Sequence, residues 1–117
     1  MRIVSIGEVL WDVIGNEEYL GGAALNFAAH AGRLGHTVFF VSAVGKDERG
    51  RRVQARMAEM GLTTRYVHVL DTHPTGVVTV ELDAAGQPKF TLHHPAAYDA
   101  PELADRELAE LLSPEPD

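Results

Sequence analysis

Apolar positions along the chain change their spacing several times, and each change predicts a new element. Residues 2–7, Arg-Ile-Val-Ser-Ile-Gly, form a short apolar run closed by glycine, the pattern of a buried parallel strand. Beyond it Glu8, Leu10, Asp12 and Ile14 alternate with Val9, Trp11 and Val13. This second extended segment ends at Gly15-Asn16 and carries Glu8 and Asp12 on one face. A helical pattern follows from about Gly22 to Leu34, with Gly35 as its stop. Leu25, Phe27 and Leu34 stand among its alanines, and Asn26, His30 and Arg33, at i, i+4 and i+7, make one polar stripe. For His30 and Arg33 the ordinary meaning of such a stripe is the solvent side of a nearly buried helix.

Thr37 to Val44 reads as another buried strand, ended by Gly45. Asp47 is a suitable N-cap for a helix running to Met60, whose inner face is marked by Val53, Met57 and Met60. Gly61 stops that helix, and Tyr66 to Leu70 supply a third core strand. Strands alternating with helices in this way predict a parallel sheet with right-handed crossovers. From Thr75 the period becomes two: Val78, Val80 and Leu82, then the turn Asp83-Ala84-Ala85-Gly86, then Lys89 to His93 around Phe90 and Leu92, a hairpin. Together with the segment around Asp12 it predicts a small second sheet. A last helix, from about Pro101 to Leu112, has proline at its start, acids in its first turn and Leu108, Leu111 and Leu112 on one face. The breaker-rich run Ser113-Pro114-Glu115-Pro116-Asp117 reads as a connection.

The fold class is therefore α/β, with 117 residues making one unit and no internal repeat or linker. Cysteine is absent, which removes thiolate chemistry and disulfides and fits a reducing compartment, with the cytoplasm as the default. The net charge is −7 and the sole basic cluster, Arg49, Arg51, Arg52 and Arg56, lies on one short helix, so nucleic acid is not an expected partner. No apolar stretch approaches the roughly 18 residues of a membrane span, and the N-terminus does not read as a signal peptide.

Glycine-rich anion cradles fail on spacing. Gly21-Gly22-Ala23-Ala24-Leu25-Asn26 is not G-x-G-x-x-G, and Gly45-Lys46-Asp47 lacks the features of a P-loop. His93 and His94, adjacent on a strand, point to opposite sides, so no metal site is expected there. What remains is Asp12, the Gly22 backbone at a helix start and Asn26 one turn later. A polyhydroxylated ligand suits them: a carboxylate accepts from two hydroxyls, an amide donates and accepts, and glycine admits a close approach. The same residues also fit a turn aspartate and a locally packed asparagine, and taken alone they leave both readings open.

GGAALNFAAHAGRLGHTVFFVSAVG resembles the N-terminal signature of the PfkB (ribokinase-like) sugar kinases, with its glycine pair, small residue, asparagine and the later Gly35 and Gly45. Gly7-Glu8-Val9-Leu10-Trp11-Asp12 resembles the family's opening G-E-x-x-x-D, nearest its fructokinase branch, and Gly45-Lys46-Asp47-Glu48-Arg49-Gly50 its G-x-D-x-x-G. The resemblance implies the N-terminal part of a ribokinase-like three-layer parallel sheet with a small antiparallel β lid built from about residues 8–20 and 75–95. It implies ATP-dependent phosphoryl transfer to a sugar hydroxyl, with Asp12, Gly21, Gly22 and Asn26 binding the sugar. His93-His94-Pro95-Ala96-Ala97-Tyr98-Asp99 falls where fructokinase-like members often carry an arginine, a small residue and an aspartate, which adds His93 to the sugar-binding set. Asp99 fits equally well as the N-cap of the last helix.

The family's catalytic aspartate belongs to a late G-A-G-D motif that these residues do not contain. The expectation is thus the N-terminal piece of a kinase, arising by truncation, a divided gene or cleavage and inactive alone. ATP and Mg2+ would serve the complete enzyme, with none bound by this piece. Two alternatives accompany it: a non-catalytic sugar-binding module whose lid strands pair two chains into a homodimer, and a specificity for 2-keto-3-deoxygluconate or a nucleoside.

Overall fold

The computed structural model describes residues 1–100 and 103–112. Among the described residues seven strands divide into two sheets. The first contains β1 (Arg2–Ile6), β4 (Thr37–Gly45) and β5 (Val67–Leu70), all parallel, in the order β1-β4-β5. The second contains β2 (Leu10–Ile14), β3 (Glu17–Gly21), β6 (Gly76–Leu82) and β7 (Pro88–Leu92), in the order β3-β2-β6-β7. Its central pair β2 and β6 is parallel, and both outer pairs are antiparallel. The α/β fold with a parallel sheet and a small lid sheet is the one the sequence predicts, but the lid, expected antiparallel, is mixed, because β2 and β6 run parallel at its centre.

Two helices cover one face of the parallel sheet: α1 (Ala23–Arg33) and α2 (Glu48–Glu59). Leu25, Ala28, Ala29 and Ala31 of α1 and Val53 and Met57 of α2 bury against Phe40, Val44 and Val67. The small side chains of α1 let it lie close to the chain leaving β1. A Cβ at Gly7 would stand 2.7 Å from that of Ala24, and Ser5 donates its hydroxyl to the Ala24 carbonyl at 2.9 Å. Strand β4 is central and buried from Phe40 to Gly45, as its continuous apolar run requires. The lid sheet is rooted in the same core, because Val9 and Trp11 belong to it.

The opposite face of the parallel sheet is covered by α3 (Asp105–Leu112) and a 3-10 turn, Ala97–Asp99. Leu111 packs with Val41 and Tyr66, and Ala97 with Ala43 and Leu70. Glu110 draws α3 onto the sheet, accepting from the Arg65 guanidinium at 2.7 Å and from the Tyr66 hydroxyl at 3.0 Å.

Several expectations are corrected. Strand β1 is not buried on both sides: it is a sheet edge among the described residues, and Val4 and Ile6 are 37% and 63% exposed. Phe27 of α1, Leu34 just beyond it and Met60 just beyond α2 also face outward, because each lies off the stripe that meets the sheet. The last helix begins at Asp105, and of its three leucines only Leu111 is buried. Pro101, predicted to start it, and the breaker-rich residues 113–117 lie outside the described residues. Asp99 does not cap this helix but ends the preceding 3-10 turn.

One carboxylate ties the two sheets together. Asp47, the N-cap of α2, accepts the Gly50 N–H at 2.8 Å, the Thr75 N–H at 3.0 Å and the Thr75 hydroxyl at 2.6 Å. The Thr75 oxygen in turn accepts the Gly45 N–H at 2.8 Å. The end of β4, the start of α2 and the entry to β6 therefore meet at one point. Burial opposes ionisation of Asp47, but the Thr75 hydroxyl and the Thr75 and Gly50 amides outweigh it and hold its carboxyl below the ordinary value of 3.8.

Because Thr75 is only 3% exposed, Asp47→Ala leaves its donors unmet inside the protein. A loss of about 2–3 kcal/mol in urea unfolding is expected, above that of an ordinary cap deletion. The lowered carboxyl also fixes a sign: its contribution is complete above 3.8 and is lost as pH falls through the lower folded-state value. Urea midpoints measured across the acid range should therefore fall less steeply for Asp47→Asn than for the unaltered chain.

Candidate sugar site

Pairing register sorts the lid sheet's side chains onto two faces. Trp11, Val13, Glu18, Val77 and Thr79 share the face turned toward α2. Asp12, Tyr19, Gly21, Gly76, Val78 and Leu92 share the other.

The α2-facing side is fastened. The Trp11 indole N–H donates to the Arg49 carbonyl at 3.1 Å, and the Arg52 guanidinium lies 4.2 Å from the Trp11 ring centroid. Glu18 pairs with Arg49 at 3.1 Å and Arg52 at 3.0 Å, and these two arginines hold its carboxyl below the usual range. A hollow of about 660 Å³ opens on this side, lined by Val13, Glu18, Asp47, Arg49 and Thr79 among others. Its charged groups are already paired, so this hollow is not where unpaired chemistry lies.

The other face carries the unpaired groups. Asp12 is half-buried and makes no side-chain hydrogen bond among the described residues. Its neighbour is Gly21, where a Cβ would stand 2.7 Å from Asp12 Oδ2. The missing side chain is what gives that carboxylate room. Strand β3 then passes directly into α1 through Gly22, the helix N-cap, with φ of 111°. A Cβ there would stand 2.5 Å from the Glu8 carbonyl oxygen, so only glycine permits this crossing. The Glu8 carboxylate accepts the Ala23 N–H at 3.3 Å, a cap the sequence reading did not assign. Asn26 follows one turn into α1, its backbone N–H on the Gly22 carbonyl and its side chain exposed without a partner among the described residues.

Asp12, Gly21 and Gly22 are thus brought together, with Asn26 on the next turn. His93 is not. It falls on the α2-facing side, where its Nε2 is 2.6 Å from Thr79 Oγ1 and it lines the hollow there. The reason is parity: Leu92 shares the Asp12 face, and the next residue must point away. Two residues past Leu92, His94 places Nδ1 2.7 Å from Asp99 Oδ2, and Asp99 also accepts the Ala96 N–H at 2.9 Å. His94, and then the Ala96 amide, hold the Asp99 carboxyl below its ordinary range. The Tyr98 ring occupies the space where a Gly76 side chain would stand, on the Asp12 face. Counting residues past the end of β7 would have distinguished His94 from His93; the 3-10 turn that brings Tyr98 back had no such signal.

ATP and Mg2+ do not fit the groups present. The N-termini of α1 and α2, the usual cradles for phosphate, are both occupied by carboxylates of this chain, Glu8 and Asp47. Among the described residues no group of three or more His, Cys, Asp or Glu is placed to hold a metal ion. No helix among them is long and apolar enough to cross a membrane.

Comparison with known proteins gives a consistent picture. The family model described as pfkB family carbohydrate kinase matches residues 2–114. A fructokinase of Salmonella typhimurium is 35% identical over 71 residues, covering 61% of this chain and 23% of that protein. A ribokinase of Haemophilus influenzae is 26% identical over 87 residues, 74% of this chain and 28% of that protein. Among solved structures, the apo fructokinase of Vibrio cholerae O395 superposes with a TM-score of 0.80 at 29% identity, covering 87% of this chain and 37% of that one. A fructokinase from Xylella fastidiosa with bound ATP gives 0.75 at 32% identity, covering 83% and 32%. The chain spans about a quarter of the length of these curated relatives.

The two glycines at the α1 entry should respond differently to alanine. Gly22→Ala forces a side chain into backbone at positive φ and should cost about 2 kcal/mol or more in thermal or urea unfolding. Gly21→Ala meets chiefly the movable end of Asp12 and should cost under about 1 kcal/mol, while displacing that carboxylate. Equal losses would show that Asp12 is fixed rather than free.

Proposed function

The chain belongs to the pfkB carbohydrate kinase family, and from that premise we propose that it is the sugar-binding and lid portion of a fructokinase-like kinase. The observation that carries this reading is the unpaired Asp12 carboxylate beside the bare backbone of Gly21, at the start of α1. A carboxylate so placed accepts hydrogen bonds from two neighbouring hydroxyls, and the Asn26 amide both donates and accepts. Gly21 and Gly22, by lacking side chains, make room for the Asp12 carboxylate and for the chain crossing that sets it beside the entrance to α1.

Phosphoryl transfer depends chiefly on positioning and on stabilising charge, so groups that orient the acceptor hydroxyl contribute directly to rate. The lid sheet covers the sugar and excludes water from the transferable phosphate. ATP and Mg2+ would supply and neutralise that phosphate, and the described residues, which do not fit them, are proposed not to catalyse on their own. A cytoplasmic setting, where ATP is available, suits the reading.

Calorimetric titration of the full chain with D-fructose, D-ribose, 2-keto-3-deoxygluconate and adenosine should give saturable binding, strongest for the ketose. Asp12→Ala should weaken it at least about tenfold, the loss of a charged hydrogen-bond acceptor. Undiminished binding by Asp12→Ala would remove the site, and ATP-dependent phosphorylation of fructose by the chain alone would refute inactivity.

The lid also supports a second reading, pairing of two copies. Ile14, Tyr19, Leu82, Phe90 and Leu92 are 47–73% exposed on one face of the sheet, and β3 and β7 are its open edges among the described residues. Light scattering should then report a dimer that Phe90→Asp converts to monomer; a monomer at all concentrations would exclude it.

A further inference from the structure

Among the described residues, every hydrogen bond or ion pair that a side chain of the lid strands makes with α1 or α2 lies on one face of the lid. Glu18 sits between the Arg49 and Arg52 guanidinium groups of α2, at 3.1 and 3.0 Å, and Trp11 donates to the Arg49 carbonyl. On the Asp12 face nothing comparable exists. The one side-chain hydrogen bond of its strand residues, from the Tyr19 hydroxyl to the Glu17 carboxylate, stays within the lid. Tyr19, Phe90 and Leu92 on that face are 50%, 61% and 55% exposed.

The Asp12 site and α2 therefore lie on opposite faces of one sheet, and a lid that turns down over Asp12 must turn away from α2. Leu10 pairs with Gly21 at the base of the sheet and Val13 with Glu18 farther out. Glu18 thus stands about 10 Å along β3 from the base, and a turn of about 10° carries its carboxylate about 2 Å. Both ion pairs then lengthen past about 4 Å and are lost.

We infer that Glu18, Arg49 and Arg52 form a latch that holds the lid off the sugar and that covering the sugar releases it. All three are positioning residues: they act on sugar affinity through the position of the lid and do not touch the sugar. Their side chains are 26%, 40% and 41% exposed, so salt screens the latch and a small ligand can open it. A neutral sugar brings no charge, and salt dependence of its binding therefore reports on the ion pairs of the protein. Trp11 is the chain's one tryptophan, and the Arg52 guanidinium 4.2 Å from its ring centroid makes its fluorescence a second reporter. The proposal rests on the sugar-site reading above.

The test is calorimetric titration of the full chain with D-fructose, alongside Trp11 fluorescence. Glu18→Gln should lower Kd about threefold to tenfold, as expected from the loss of two half-exposed ion pairs. Raising NaCl from about 0.05 M to about 0.5 M should lower Kd severalfold for the unaltered chain and leave that of Glu18→Gln within a factor of two. Saturating fructose should change the Trp11 emission, and Glu18→Gln without sugar should already stand part of the way to that signal. A role confined to stability would lower the unfolding midpoint and produce none of these changes. Should Glu18→Gln fold poorly, the salt series on the unaltered chain and Arg49→Gln, which keeps the carbonyl that Trp11 uses, decide the same question. Unchanged or weaker fructose binding in a folded latch variant, or salt-independent binding by the unaltered chain, overturns the latch alone. Absence of fructose binding by the unaltered chain at every salt concentration overturns the sugar-site reading and the latch together.

Discussion

The Asp47 carboxylate is the constraint on which the arrangement of the two sheets depends. It faces three donors from two chain segments far apart in sequence, Gly50 on one side and Thr75 on the other. Through Thr75 it also reaches the last residue of β4. A single half-buried anion therefore sets where the parallel sheet ends, where α2 begins and where the lid's inner strand departs. A neutral or apolar replacement could satisfy at most part of this set, because the donors are fixed backbone amides and a buried hydroxyl. The Trp11, Arg52 and Glu18 contacts supply a second tie from the same helix. Both ties act on one side of the lid, and this leaves the opposite side, with Asp12, unencumbered.

The lid sheet has a mixed construction for the same reason. Its two central strands, β2 and β6, run parallel because each leaves the parallel sheet in the same direction, one after β1 and the other after β5. Each is then doubled by a hairpin partner, β3 or β7. The return of β3 delivers Gly21 and Gly22 to the start of α1, beside Asp12 on the neighbouring strand. The close approach of carboxylate and helix entrance is thus a product of hairpin register and of two residues without side chains.

Much of this was legible in the sequence. The glycine stops, the Asp47 cap and the period-two hairpin follow from local pattern, because each depends on neighbours within a few residues, whereas the grouping of Asp12 with the glycine pair comes from the family resemblance. What escaped depends on partners at a distance. Whether the apolar run of β1 is covered on both sides is decided by how many strands flank it, and Val4 and Ile6 carry no mark of that number. Phe27 looks like core until the crossing angle of α1 selects Leu25 and the alanines instead. Proline and acids near residue 101 suggested a helix start, but Leu111 and Glu110 fix α3 where Tyr66 and Arg65 can meet them. For the two histidines the choice rested on family position, whereas the geometry rests on parity beyond the strand's last residue.

The hairpin of β6 and β7 projects well beyond its supports: β7 is exposed along its whole length, and the molecule extends 58 Å by 33 Å by 20 Å. Its turn is stiffened by Asp83, whose carboxylate accepts the Ala85 and Gln87 amides, so the arm ends in a defined tip rather than a loose one. Mechanically it is a lever with Thr75 at the fulcrum. Seven residues of strand make an arm about 23 Å long, so a rotation of about 10° at the base sweeps the tip through about 4 Å. The small set of bonds at Thr75 thus bears, by leverage, on where the far end of the hairpin lies.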